Sequence, residues 1–505
     1  MGLAIYAALQ RWLSMDMDEL LCYSPLGLLY PYNIGDFNGN NRLANTLAII
    51  PGHFWPLRSY YYIGSVHALF YLPLYLVFPH FWSVRLVGLL FLAAQSVFIS
   101  RLVKLPSSVI FLLLVLFFPY SVQHFIDAGP VALHCLLIYV LLFLFEFDNG
   151  RRPLRRGALV GFLVFIGIWE KLSFLLLLPG LSLLAISALL RLLKSGAYSR
   201  VRIVKFALSA GLTSGIPTAL LLCARDIHQV PYFRVMSTFS SRPENLWVKM
   251  TYLSACIFNP LQTLERFLPA TNYNVLPWSI LGTVIIILML VVVVLGHRSA
   301  LKASGKNDRL LARYISLPIA AFVISYPIIA YRGLFTHHVI LAFPFLILSL
   351  SASVAALVRH ATPRCRRIGL GALMLSLALY APCWAYLSHF LPSQGDDWSR
   401  FAIHEKLYDE TLSRHYAYIV GDWGYYYLQW IYGNHDQMVL GDESVRTPEQ
   451  VARLQAALKM TGRKALFVLT NPNSSCDLDL LRRSFNLVAM PGISPDARWQ
   501  VLMEP

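Results

Sequence analysis

Apolar residues in this chain come in long unbroken runs joined by short polar connections, unlike the half-apolar periodicity of helices on a soluble core. Runs that suffice, or nearly suffice, to span a bilayer occupy residues 83–103, 106–120, 131–147, 157–170, 172–193, 203–224, 276–296, 314–331, 338–358 and 367–390. A crossing helix needs about 20 apolar residues. A further apolar stretch, Gly2 to Leu13, has no basic residue before it and no small-residue cleavage site. It is therefore read as a short first span and not as a cleaved signal peptide. The pattern predicts a polytopic α-helical membrane protein of about 11 transmembrane helices.

The connections alternate in charge, and this orients the spans. Five are basic: Arg101 with Lys104; Arg151, Arg152, Arg155 and Arg156; Lys194, Arg200, Arg202 and Lys205; Arg298, Lys302, Lys306, Arg309 and Arg313; and Arg359, Arg364, Arg366 and Arg367. Such clusters stay cytoplasmic. Residues 121–130 hold no Lys or Arg, the turn near 171 has Lys171 alone, and 332–337 has Arg332 alone, so these face outward. If Tyr60 to Phe78 crossed, the alternation would fail. Its Pro73, His67 and repeated tyrosines suit a juxtamembrane helix, which leaves one long outer loop over 15–82 and a second over 225–275. This arrangement puts the N-terminus in the cytoplasm.

At Leu391 the composition turns soluble. Strand-like runs (Tyr416 to Val420, Ala465 to Leu469, Leu487 to Met490) alternate there with helical ones (Pro448 to Met460, Asp477 to Ser484). The prediction is a membrane domain over 1–390 and a small α/β domain over 391–505 on the periplasmic side.

Composition agrees: 57% of the 505 residues are hydrophobic and 13% are charged, where soluble domains carry about 25% charge. The net charge of +16 sits between apolar runs. It therefore reports topology, and nucleic acid is excluded as a partner. Seven cysteines, odd in number and never spaced as CxxC, imply neither a disulfide framework nor a zinc site. Without GxxxxGK[ST] there is no case for an ATP-driven pump, and without an internal repeat the duplicated halves of many secondary transporters are missing.

Chemistry-bearing residues gather in the predicted outer connections. Asp16, Asp18 and Glu19, followed by Tyr23, come just after the first span, where carboxylates can act as a base, hold a hydroxyl acceptor or bind a divalent cation. A solvated helix end would also carry such acids. Asp127 lies between two spans in a connection without a basic residue, and an acid beside a membrane is a functional candidate by default. Lys171, next to Glu170, can neutralise a phosphate or simply pair with its neighbour. Arg332, His337 and His338 offer cationic donors to an anionic head group, or serve as a helix anchor.

In order and spacing these pieces resemble the integral-membrane glycosyltransferases of the GT-C class, in particular the bacterial protein O-mannosyltransferase and aminoarabinose transferase group. The resemblance covers about the first 360 residues. Asp18-Glu19 with Tyr23 is similar to the acidic opening of that group's first outer loop. Leu69 to Tyr75 followed by Arg85 resembles its juxtamembrane segment and next helix, and Tyr120 to Asp127 resembles its second outer loop. Trp169-Glu170-Lys171 is similar to its later lysine, and His337-His338 before Pro344 to its histidine-bearing helix start. Gly129 and Val131 stand where relatives often carry Arg and Tyr.

The resemblance implies transfer of a sugar, with inversion, from a polyprenyl-phosphate donor to a hydroxyl of an envelope lipid, glycan or protein at the outer face of a bacterial inner membrane. It implies Asp18 as base, with Glu19 or Asp127 positioning the acceptor or an optional divalent cation (Mg or Mn), and Tyr23 and Asp16 near the acceptor or sugar. Lys171, Arg332, His337, His338 and, less directly, Arg85 would meet the donor phosphate. Two other readings stay open: a transporter or flippase of a lipid-linked sugar, and an O-antigen ligase or polymerase. The apolar middle spans argue against the first, because a carrier needs charge along its helices, and the acidic opening argues against the second. The aromatic run Gly421 to Trp430 suits either carbohydrate contact or core packing.

Overall fold

The computed structural model describes residues 46–50, 53–56, 58–60, 63–77, 81–125, 129–147, 152–223, 275–303, 305–332, 340–384, 415–420, 439–441, 445–470, 476–491 and 499–505. They belong to two compact units, a helical one within 73–223 and 232–398 and a second one within 14–72 and 399–505.

The helical unit holds α2 (Phe81–Val103), α3 (Ser107–Leu116), α4 (Phe118–Phe125), α5 (Pro130–Glu146), α6 (Pro153–Glu170), a 3-10 helix (Leu172–Leu177) running into α7 (Leu178–Lys194), and α8 (Arg200–Cys223). After these come α9 (Val275–Lys302), α10 (Lys306–Arg332), α11 (Phe343–His360) and α12 (Pro363–Ala378). Among the described residues, every apolar run predicted between 83 and 390 falls on a helix or a pair of helices. Among the described residues seven helical segments are long and apolar enough to cross a membrane. The run 106–120 is instead broken at Phe117 into α3 and α4, and α5 is a shorter apolar helix of 17 residues. The first span, residues 2–13, lies outside the described residues.

The core of this unit is α11, buried along nearly its whole length and packed on α2, α5, α9, α10 and α12. Small residues let the backbones approach. Ser349 Oγ donates to Ile315 O at 2.9 Å, and Gly296 of α9 sits so near Ser353 that an added Cβ would lie 2.7 Å from its Cα. The pairing of α6 with α8 is tighter still. A Cβ on Gly157 would be 2.3 Å from Phe206 O, and one on Gly161 would be 2.1 Å from Thr213 Oγ1. Across the same seam Ser209 Oγ donates to Leu154 O at 2.8 Å and Thr213 Oγ1 to Ala158 O at 3.1 Å. Hydroxyls thus bind carbonyl lone pairs across the seam, as small polar residues do between closely packed apolar helices.

The basic residues between spans also terminate helices. Lys104 adopts a left-handed backbone (φ +58°) after α2, with its N–H on Ser100 O, and Arg359 donates to the freed carbonyls of Val103 and Lys104. Arg191 of α7 forms an ion pair with Glu146 at the end of α5, and Arg313 of α10 donates to Ser187 Oγ at 2.6 Å.

The second unit begins with two antiparallel hairpins, β1 (Thr46–Ile50) with β2 (His53–Pro56) and β3 (Arg58–Tyr60) with β4 (Ile63–Gly64), and continues into α1 (Val66–Val77). The sequence reading expected juxtamembrane helix in this loop. A helix is found there, α1, which at 12 residues is too short to cross, and the hairpins are new. Pro51-Gly52 separates the β-branched and apolar residues of β1 from Phe54 and Trp55, a turn signal between strand formers.

The rest is a five-stranded mixed sheet ordered β6 (Val439–Gly441), β5 (Tyr416–Val420), β7 (Lys464–Thr470), β9 (Trp499–Met503), β8 (Val488–Ala489). β5 runs parallel to β6 and β7, and β9 is antiparallel to β7 and β8. α13 (Pro448–Thr461) opens with a capping box between Thr447 and Gln450 and closes at Gly462 (φ +66°). α14 (Leu478–Phe485) starts on the Asp477 side chain. Ala465, Phe467 and Leu469 alternate along β7 onto one face and pack with Leu454 and Leu458 of α13 and Leu481 and Phe485 of α14.

Candidate active site

The connection expected over 121–130 is shorter than its composition suggests, because residues 121–125 belong to α4. Pro119, in the first turn of α4, presets its backbone angle. A ring of hydrogen bonds then holds the two-turn helix. Tyr120 Oη donates to Gln95 Oε1 of α2 at 2.5 Å, Gln95 Nε2 lies 2.8 Å from His124 Nε2, and His124 Nδ1 lies 2.8 Å from Tyr120 O. A carbonyl can only accept, so Nδ1 carries the hydrogen, and Nε2 accepts from the Gln95 amide. In that tautomer His124 is a neutral imidazole with both nitrogens engaged.

α5 follows at Pro130 with the fully buried His134 in its second turn. Its Nε2–H donates to Gly167 O in the last turn of α6 at 2.9 Å. The same carbonyl accepts the backbone N–H of Lys171 at 3.2 Å. Lys171 is extended (φ −156°, ψ 127°), which ends α6, and Phe174 N then donates to Lys171 O at 2.9 Å as the 3-10 helix begins. Phe174 packs on the His134 ring, centroids 4.9 Å apart, and fills the space that a side chain at position 167 would need, 2.7 Å from an added Cβ. At this junction Glu170 is 0% and Lys171 5% exposed. Arg85, near the start of α2, is also 0% exposed. Arg85, Glu170 and Lys171 are therefore enclosed by protein at the ends of packed helices, where a charge is costly unless it is paired, and that makes them candidates for a site.

Three of the predicted site residues have a described backbone: Arg85 and Lys171, with their side chains, and Arg332, which ends α10. Asp16, Asp18, Glu19, Tyr23, Asp127, His337 and His338 lie outside the described residues, although Asp127 is flanked by described Phe125 and Gly129. Among the described residues no group of three His, Cys, Asp or Glu is arranged to hold a metal ion. Sequence reasoning passed over Gln95 and His134, although a polar side chain in the middle of an apolar run is itself a signal.

No protein-family model matches the sequence, and no curated protein matches it either. Solved structures do. ArnT from Cupriavidus metallidurans bound to undecaprenyl phosphate superposes with a TM-score of 0.50 at 13% identity, covering 100% of this chain and 96% of that one. The same ArnT in its apo state gives 0.42 at 12% identity over the same shares. The apo oligosaccharyltransferase from Archaeoglobus fulgidus gives 0.36 at 11% identity, over 93% of this chain and 69% of that one. The first of these shows the fold: a polytopic helical protein built like this ArnT along its full length.

Proposed function

We propose that the protein is a GT-C-type glycosyltransferase that moves a hexosyl or pentosyl group from a polyprenyl-phosphate carrier to a hydroxyl of an envelope lipid, glycan or protein. The observation that carries this reading is the full-length likeness to an ArnT caught with undecaprenyl phosphate, taken together with the enclosed Lys171, Glu170 and Arg85. A departing lipid phosphate needs positive charge fixed before the reaction begins, in a place water does not reach. A buried lysine at a helix break meets that need better than one on a mobile surface arm. In this reading Lys171 is the main phosphate ligand, helped by Arg332, His337 and His338, with Arg85 steadying the site.

Asp18 removes the proton of the attacking hydroxyl, and Glu19 and Asp127 orient it, with Tyr23 and Asp16 along the acceptor or sugar. Where a divalent cation takes part, the hard oxygens of Asp18 and Asp127 would hold Mg or Mn. The chain would sit in a bacterial inner membrane with its N-terminus in the cytoplasm, residues 1–390 forming the membrane domain and 391–505 a periplasmic domain. The test is binding. Wild-type protein in nanodiscs is titrated with undecaprenyl phosphate beside Lys171→Gln. Saturable binding weakened about 10- to 100-fold in the variant supports the reading. Movement of a lipid-linked sugar across sealed vesicles without release of the phosphate would replace it with a transporter.

A further inference from the structure

His134 is fully buried in the second turn of α5, and what it meets is the end of another helix. Its Nε2 lies 2.9 Å from Gly167 O, and because a carbonyl only accepts, that nitrogen carries the hydrogen. The same oxygen takes the backbone N–H of Lys171 at 3.2 Å, at the residue where the chain leaves α6 for an extended conformation. A carbonyl has two lone pairs, so both bonds can stand together. One acceptor therefore joins α5 to the residue that carries the charge.

A second route leads to the same place. The His134 ring packs on Phe174 with centroids 4.9 Å apart, and Phe174 N donates at 2.9 Å to Lys171 O. Phe174 also fills the room left by the missing side chain of Gly167. Both backbone groups of Lys171, its N–H and its C=O, are thus held by partners that His134 touches. Filling space alone would be done as well by an apolar ring, whereas a buried imidazole has given up its water and is retained for the bond it makes.

We propose that His134 is a positioning residue for Lys171: by bonding Gly167 O and bracing Phe174 it fixes the backbone from which the enclosed lysine meets the donor phosphate. This rests on the glycosyltransferase reading and on Lys171 as the phosphate ligand. A long side chain gives up rotamer freedom when it meets an anion, and a backbone fixed beforehand lowers what has to be ordered on binding. Loss of the His134 bond would then weaken the grip on the lipid phosphate, and the effect would vanish once position 171 has no charge to place. A hydrogen bond that served the fold alone would lower the melting temperature and leave that grip unchanged.

The test is a double-mutant cycle on full-length protein in nanodiscs, with His134→Phe, Lys171→Gln and the double variant. It follows the Kd for undecaprenyl phosphate, with the melting temperature alongside. His134→Phe should raise Kd about 3- to 10-fold, the net worth of one hydrogen bond. In the Lys171→Gln background the same change should matter less than about twofold, because coupled residues do not add. His134→Gln, whose amide N–H can reach the same carbonyl, should recover part of the affinity, and it serves if His134→Phe does not fold. Ser349→Ala is the control for a general loosening, since it removes a buried bond of the same kind between α11 and α10. It should lower the melting temperature and leave Kd within about twofold. Wild-type affinity in His134→Phe, a loss that adds in full to that of Lys171→Gln, or an equal loss in Ser349→Ala overturns the positioning role while the glycosyltransferase reading stands. Wild-type affinity in Lys171→Gln removes Lys171 as the ligand and this proposal with it. Absence of saturable binding to the wild type is the failure of the glycosyltransferase reading itself.

Discussion

Lys171 and Glu170 are adjacent in sequence and both enclosed, and each would be cheaper as a leucine if packing were all that was asked of it. Their placement depends on Gly167, whose carbonyl is shared by His134 and the Lys171 backbone and whose missing side chain leaves room for Phe174. Replacing His134 with Phe removes one donor from that carbonyl while the Lys171 N–H remains. The expected loss is therefore modest, about 1 kcal/mol, read as a lowered melting temperature in detergent. His134→Asn should recover part of it. Gly167→Ala should be worse than either, because the added carbon meets an aromatic ring that His134 holds in place. Should His134→Phe melt like the wild type, the junction is held by packing alone.

At the scale of helices, α6 and α8 meet across Gly157 and Gly161 with hydroxyl-to-carbonyl bonds along the seam. Gly161→Leu has no room, with Thr213 and the Ala210 carbonyl both within 2.2 Å of the first added atom. It should cost more than about 3 kcal/mol and abolish the monodisperse peak in size-exclusion chromatography. Gly211→Ala, on α8 with nothing within 4 Å, is the control. It should leave the protein intact or raise its stability by up to about 1 kcal/mol. Equal behaviour of the two variants would contradict this packing. The spans were legible in sequence because a bilayer demands long apolar runs, and α13 and α14 because Thr447-Pro448 and Asp477 are local start signals. Partners far apart in the chain were not legible. Gln95 meets His124 across 29 residues and Tyr139 meets Pro344 across 205, and no local pattern announces either pairing. The short strands β6 and β9 owe their existence to pairing with β5 and β7, so their own residues gave little warning. Of the candidate site, charges inside or beside apolar runs could be read, while the long-range bonds of Gln95 and His134 could not.

Taken whole, the chain is similar in fold to an ArnT along its full length and divides into a helical unit and a second unit carrying the mixed sheet. The alternation of basic and non-basic connections makes a prediction at this scale. Single cysteines placed at 152 and 362 should resist a membrane-impermeant maleimide in intact cells, and one at 446 should react. The reverse pattern would turn the molecule over and put the proposed chemistry on the wrong face. The measurement that bears most directly on the account is turnover: purified protein with envelope extract and a panel of undecaprenyl-phosphate sugars, followed by release of free undecaprenyl phosphate, wild type against Asp18→Asn. The account predicts release with at least one donor, reduced about 10²- to 10⁴-fold in the variant, as for loss of a general base. No release from any donor, or equal release from both proteins, would contradict it.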